Sequence, residues 1–228
     1  MNDSLARANA LYKEGNYQAA AQAYQNLLLE RPGSADLHYN LASALFKLGE
    51  PGSLGRATAG YWRAFRINPR DADIRHNLDF ALKRSGESLV PPGIPPALHV
   101  TFHSLSGPEL LGLQWIGGWL SLLLASVALW RAASRVRLRP WLAAALLFWA
   151  LGACWWGLRR LNDVPGPGVI AENNAEVRSG PGINFPVTFN APEGRRVSVL
   201  EESGEWLEIG VLKEGLRGWA RNKAIEKI

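Results

Sequence analysis

Two apolar runs decide the architecture of this chain: Leu110–Trp130, LLGLQWIGGWLSLLLASVALW, and Trp141–Leu158, WLAAALLFWALGACWWGL. The first holds 21 residues without a charge. At about 1.5 Å per residue it matches a hydrocarbon slab of roughly 30 Å. The second holds 18 uncharged residues behind Pro140, placed where a first-turn proline would cost the helix no hydrogen bond. Seven of the ten tryptophans lie in these runs, several near their ends, where an indole keeps its N–H in the headgroup region. Two transmembrane helices are expected, over 110–130 and 140–160. The competing reading, a helical hairpin buried in a soluble core, does not account for the tryptophans at the flanks. Gly117, Ser121 and Ala125 recur at four-residue spacing, as do Ala153 and Gly157, a pattern that lets two helices pack closely.

The connector, 131–139, carries Arg131, Arg135, Arg137 and Arg139 and no acid. The positive-inside rule assigns it to the cytoplasm and both flanking segments to the far side, four arginines outweighing Arg159 and Arg160. An outside N-terminal segment ordinarily requires a leader. Met1–Gly15 has no apolar run of that kind, so either the true start lies upstream, or a cleaved leader is left out, or the topology is inverted; the leader is the expectation.

Composition narrows the function classes. A chain of 228 residues has room for two small domains beside the spans. The net charge of +5 suggests nucleic acid at first sight, but six arginines flank the membrane runs and topology accounts for them. No nucleic-acid role is expected. The lone cysteine, Cys154, lies inside the second run, so neither an intramolecular disulfide nor a cysteine metal cluster is available. The four histidines all precede the first run, and no nucleophile with its base or phosphate-binding glycine loop can be assembled. The sequence therefore reads as non-enzymatic, without cofactor or metal.

Residues 1–84 repeat internally. DLHYNLASAL at Asp36–Leu45 returns as DIRHNLDFAL at Asp73–Leu82, 37 residues on, and Pro32 and Pro69 keep the same offset. Ala8, Ala20, Ala42 and Ala57 suit close helix approach, while Leu11, Tyr24, Leu41, Leu45 and Tyr61 fill the seam. Gly15, Tyr17, Ala20, Tyr24 and Pro32 stand in the order and spacing of the tetratricopeptide repeat, which this segment resembles. Five helices are expected, two pairs and a closing helix near Asp71–Arg84, with about three extra residues in the turn around Pro51–Ser53. The resemblance implies a concave partner-binding face of Tyr12, Tyr39, Ser43, Phe46, His76, Phe80 and Lys83. The alternative is that these side chains only cover the solenoid.

Residues 85–109 hold five prolines and three glycines and read as an extended or irregular linker. His99 and His103, four apart, lack carboxylate or cysteine support and read as incidental rather than as metal ligands.

From 168 to 228 the pattern turns to short alternating strands: Val169–Glu172, Ala175–Ser179, Val187–Ala191, Val197–Glu202, Trp206–Val211 and Gly218–Arg221. A small, partly closed all-β barrel is expected. AEVRSGPGINFPV, GRRVSVLEESGEWLEI and GWARNKAI resemble the bacterial SH3 domain. In that reading Val177, Val197, Val199, Leu200, Trp206 and Trp219 supply core and groove edges. The resemblance implies a binding module, with Arg178, Asn184, Phe185, Trp206 and Trp219 on a ligand face. The tryptophans serve equally well as core, and that choice stays open at this level.

The order repeat array, two spans, SH3-like barrel resembles the BatE-type proteins of the Bacteroides aerotolerance group. That resemblance implies a non-catalytic, two-span scaffold of the bacterial inner membrane, with both soluble domains outside the cytoplasm. Its implied partners are von Willebrand A domain membrane proteins and a MoxR-type ATPase system. The alternative is a cell-wall sensor whose barrel binds peptidoglycan.

Overall fold

The computed structural model describes residues 2–211 and 214–228. Among the described residues, eight α-helices and seven strands divide between two compact units: one made of the chain up to Ser104 and from Val164 onward, the other of Leu105–Asp163.

The first unit opens with the repeat array, α1 (Asn2–Lys13), α2 (Tyr17–Glu30), α3 (Ala35–Leu48), α4 (Ser53–Ile67) and α5 (Ala72–Arg84). Its helix starts are locally encoded. Asn16, Ser34 and Asp71 each accept a bond from a first-turn N–H, Asp71 from both Asp73 and Ile74. Gly49 closes α3 in the left-handed conformation at φ 67°. Ala8, Ala20, Ala42 and Ala57 are fully buried, as the spacing required. A Cβ at Gly60 would come within 2.9 Å of Ala42 Cβ, so the α3/α4 seam closes only because both residues are small.

The linker departs from the expected irregular chain. Pro96–Phe102 forms α6, seven residues with Pro96 in the first turn, where the missing N–H is no loss. Leu89 anchors the preceding stretch in the array core, its N–H donating to Asp79 Oδ1 at 3.1 Å. His103 then stacks near Phe65 of α4, with ring centroids 6.2 Å apart.

The barrel is one antiparallel sheet in the order β3-β2-β6-β5-β4-β1-β7. Its strands are β1 (Pro167–Ile170), β2 (Ala175–Arg178), β3 (Val187–Ala191), β4 (Arg196–Ser203), β5 (Trp206–Val211), β6 (Leu216–Arg221) and β7 (Ile225–Lys227). Six strands were expected; the seventh, β7, pairs with β1. Val177, Val197, Leu207, Ile209 and Ala220 are fully buried and form its core. Leu200, expected in the core or at a groove edge, is 43% exposed, at the point where the register between β4 and β5 slips between Val199 and Glu201.

In the second unit α7 (Gly107–Trp130) and α8 (Arg135–Asn162) form an antiparallel pair. Both are long and apolar enough to cross a membrane, each with a window of mean hydropathy 1.6. Leu122, Leu123, Leu147 and Leu151 are each more than half exposed, a surface suited to hydrocarbon rather than to water. Ser106 and Glu109 start α7 with a capping box. Three details differ from expectation. Pro140 lies inside α8 rather than in its first turn, since the helix begins at Arg135. Arg135 also has local work, donating from Nε to Ala128 O at 2.9 Å and from Nη2 to Leu129 O at 3.2 Å, which satisfies carbonyls at the end of α7. The packing face is also only partly the small-residue stripe. A Cβ at Gly117 would lie 3.1 Å from the Trp149 ring and one at Gly152 2.7 Å from Gln114 Nε2, whereas Gly157 has nothing within 4 Å.

Candidate functional sites

The first site is the row of α1, α3 and α5. Tyr39 on α3 accepts a 2.7 Å bond from Asn77 Nδ2 on α5, and Ser43 Oγ lies 3.1 Å from Tyr61 OH. Burial pushes both phenols up, with Asp73 adding to Tyr39's shift. These hydroxyls stay protonated and are committed inside the array. Phe46 and Phe80 pair at 5.6 Å between centroids, and the Arg84 guanidinium sits 5.7 Å from each ring. Phe80 remains 46% exposed. His76 is exposed one turn before it. Lys83 is engaged by Asp79, 2.6 Å away. Burial alone would raise that carboxyl; the bonds from Lys83 and the Leu89 N–H outweigh it and hold the group below its usual range. Tyr12 is half-buried at the other end, edge-on to Tyr17 at 5.4 Å.

The predicted residues thus fall into two classes. Tyr39 and Ser43 mostly hold helices together, while Phe80 and His76 face outward with Arg84 and Phe46 backs them from the edge of the core. Arg84 was missed because a basic residue in a helix's last turn reads as a dipole partner, and only the fold brings it over two rings.

The second site is the outer face of β2, β6 and β5. Arg178 pairs with Trp219 and Trp219 with Glu208; Arg221 pairs with Trp206. Residues directly opposite in a sheet share a face, and so do residues two apart along a strand. Glu176, Arg178, Trp219, Arg221, Trp206 and Glu208 therefore stand on one face. The intervening Val177, Ala220, Leu207 and Ile209 point into the core. Both tryptophans belong to the outer face, half-buried, and Arg221 lies over the Trp206 ring at 5.8 Å. The two indoles therefore lie on the outer face and not in the buried core.

Arg178 is also a loop organiser. Its Nη1 donates to Ile183 O and Phe185 O, each at 2.8 Å, and its Nη2 pairs with Glu176. Gly180 is required beneath this loop, since a Cβ there would fall 2.6 Å from the Phe185 ring. Phe185 and Asn184 are left exposed beside the tryptophan face. Among the described residues no group of three or more His, Cys, Asp or Glu is arranged to hold a metal ion.

Residues 173–226 match the bacterial SH3 domain family and residues 5–53 match the tetratricopeptide repeat family. The repeat match ends where α4 begins. A Bacillus subtilis (strain 168) protein bearing the name of an N-acetylmuramoyl-L-alanine amidase, YrvJ, is 39% identical over 62 residues, which cover 27% of this chain and 12% of that protein. The likeness lies in the SH3 region. The chain is thus a helical repeat region and an all-β SH3-type domain combined with two apolar helices, and both matched domains are of binding type.

Proposed function

We propose that this protein is a membrane-anchored adaptor of a bacterial envelope complex, holding a protein partner on the repeat array and a protein or wall peptide on the barrel. The observation that carries this reading is the outer face of β2, β6 and β5: two half-buried indoles flanked by Arg178, Arg221 and Glu208. Flat aromatic surface beside fixed charges of both signs suits a peptide with apolar and ionised groups. The Phe46–Phe80–Arg84 corner offers comparable chemistry on the array.

The order of domains matches that of BatE-type scaffolds. By that likeness the partners are von Willebrand A domain membrane proteins and a MoxR-type ATPase system, in an inner-membrane assembly serving aerotolerance. The arginines of the connector support an orientation with both soluble domains outside the cytoplasm.

A second reading, wall sensing, is favoured by the SH3-region likeness to a protein bearing the name of an N-acetylmuramoyl-L-alanine amidase. One experiment separates them. The full chain, solubilised from membranes, is incubated with purified peptidoglycan, and its co-purifying membrane proteins are identified in parallel. Retention on peptidoglycan that is lost in Trp206→Ala/Trp219→Ala favours the sensor. Absence of retention together with co-purified von Willebrand A proteins favours the scaffold. Absence of both removes the adaptor reading. Reporter fusions at the two ends test the orientation, and cytoplasmic signals at both would overturn wall binding.

A further inference from the structure

The geometry points to α4 as a built docking site for this chain's own barrel, which caps the repeat array and makes array and barrel one rigid body. This inference is independent of what either surface binds.

Four observations converge on α4. First, its N-terminus has no cap of its own: Gly52 stands at the N-cap with φ 85° and no side-chain bond. The first N–H groups of a helix have no partner within it, and a carboxylate is the favoured occupant there. Glu193, in the loop between β3 and β4, fills that position, its Oε1 accepting from the Gly55 N–H at 2.9 Å. The cap is supplied from 138 residues away.

Second, the approach is possible only with glycine. A Cβ at Gly55 would lie 2.1 Å from Ile170 O, and one at Gly52 2.6 Å from Ala171 O. The two glycines that look like ordinary turn residues are the footprint of β1 and the chain that follows it.

Third, the far end of α4 is tied by charge. Arg63 pairs with Glu226 at 2.7 Å and also donates to Lys227 O, and Arg66 Nη1 donates to Ile228 O at 2.9 Å. Fourth, Arg196 of β4 lies over the Trp62 ring at 4.5 Å, while its N–H donates to Glu87 Oε1 at 3.4 Å. Gly194 sits against Ser85, where a Cβ would come within 2.9 Å of the serine's own.

Two and a half repeats bury few neighbours, and such arrays need a closing element. Here the barrel is that element. It occupies α4 and leaves Phe46, Phe80 and Arg84 of α3 and α5 free for a partner. Ligands on the two surfaces are then held at a fixed separation, so a partner touching both gains avidity without ordering a linker.

The test is cysteine cross-linking of the full chain in detergent micelles, with Cys154→Ser as background. Arg63→Cys with Glu226→Cys, and separately Glu87→Cys with Arg196→Cys, are joined with a short thiol-reactive bis-maleimide and followed by electrophoresis. Both pairs are expected to close to near completion. Adding Gly55→Leu should cut closure of the 63/226 pair at least tenfold while circular dichroism retains the helix and strand signals. Glu193→Ala, which alters only the barrel side, should weaken it in the same direction. If neither pair closes, or if Gly55→Leu closes as fully as the parent, the docked body is overturned. Should Gly55→Leu fail to fold, the 63/226 closure rate in the Glu193→Ala variant decides: slowing supports the dock and an unchanged rate refutes it.

Discussion

Phe46 on α3 and Phe80 on α5 come from helices 34 positions apart in sequence, yet their rings stand 5.6 Å apart beneath one guanidinium, that of Arg84. An exposed ring backed by a partly buried one and held by a cation is preorganised, and truncating the exposed ring should cost a partner more than it costs the fold. Phe80→Ala is expected to lower stability by no more than about 1 kcal/mol, because the ring is half in solvent, while partner capture falls roughly tenfold. The triple variant Tyr39→Ala/Phe46→Ala/Phe80→Ala should abolish capture. Co-purification from membranes, with circular dichroism as the folding control, checks both, and unchanged capture by a folded triple variant would remove the array groove from the site.

The barrel makes a sharper contrast between its two faces. Ile209→Ala empties a fully buried position and should destabilise the domain by about 2–5 kcal/mol. Trp219→Ala, on the outer face, should leave the fold standing and reduce ligand retention instead. Thermal unfolding beside a peptidoglycan or partner pull-down distinguishes the two. Equal loss of stability in both variants would return Trp219 to the core.

In the hairpin, Gly117 and Gly157 are indistinguishable by residue type, but only Gly117 is pressed by a neighbour, Trp149. Gly117→Ile is expected to weaken helix pairing by about 1–3 kcal/mol through overpacking, and Gly157→Ile to be silent. Resistance of the solubilised protein to thermal unfolding reads the difference.

Acid should loosen the linker helix. Burial, followed by the neighbouring His103 ring at 4.2 Å, lowers His99 from its ordinary 6.5 to about 4. The unfolded chain therefore binds the proton first. The stability held by neutral His99 is complete above about pH 6.5, falls as pH drops toward 4, and levels off below that. Hydrogen exchange across 96–103 at pH 7 and pH 5 should show faster opening at pH 5, and His99→Leu should flatten the dependence. Exchange that is equally pH-sensitive in His99→Leu would remove the histidine from the account.

Asp71 caps α5 with two bonds, to the N–H groups of Asp73 and Ile74. Asp71→Ala should cost about 1 kcal/mol, and Asp71→Asn much less, as read from thermal unfolding.

Most of this architecture was legible because it is written in local pattern. Charge-free length exposes the hairpin, a 37-residue echo exposes the array, and two-residue alternation exposes the strands. The alternation even held the answer about Trp206, which precedes a buried Leu207 and so had to face outward; a small core with few apolar residues obscured it. What could not be read was long-range. Pro140 looked like a helix start because nothing local shows that the arginines before it are already helical. The extra residues around Pro51–Ser53 looked like slack in a turn because what presses on Gly52 and on the nearby Gly55, Ala171 and Ile170, lies more than a hundred positions downstream. Glu193 had no signature at all: a glutamate becomes a helix cap only when another domain places it there.

That remote cap has a consequence in time. A chain emerges from the ribosome at about 5–20 residues per second. The 138 positions between Gly55 and Glu193 correspond to roughly seven to thirty seconds during which the nascent array has neither its cap nor the surface that shields α4. The two apolar helices are made within that same interval. Synthesis of the apolar hairpin and completion of the array are thereby put in a fixed sequence: the array is made before both the hairpin and the barrel, and it is among the last parts to close.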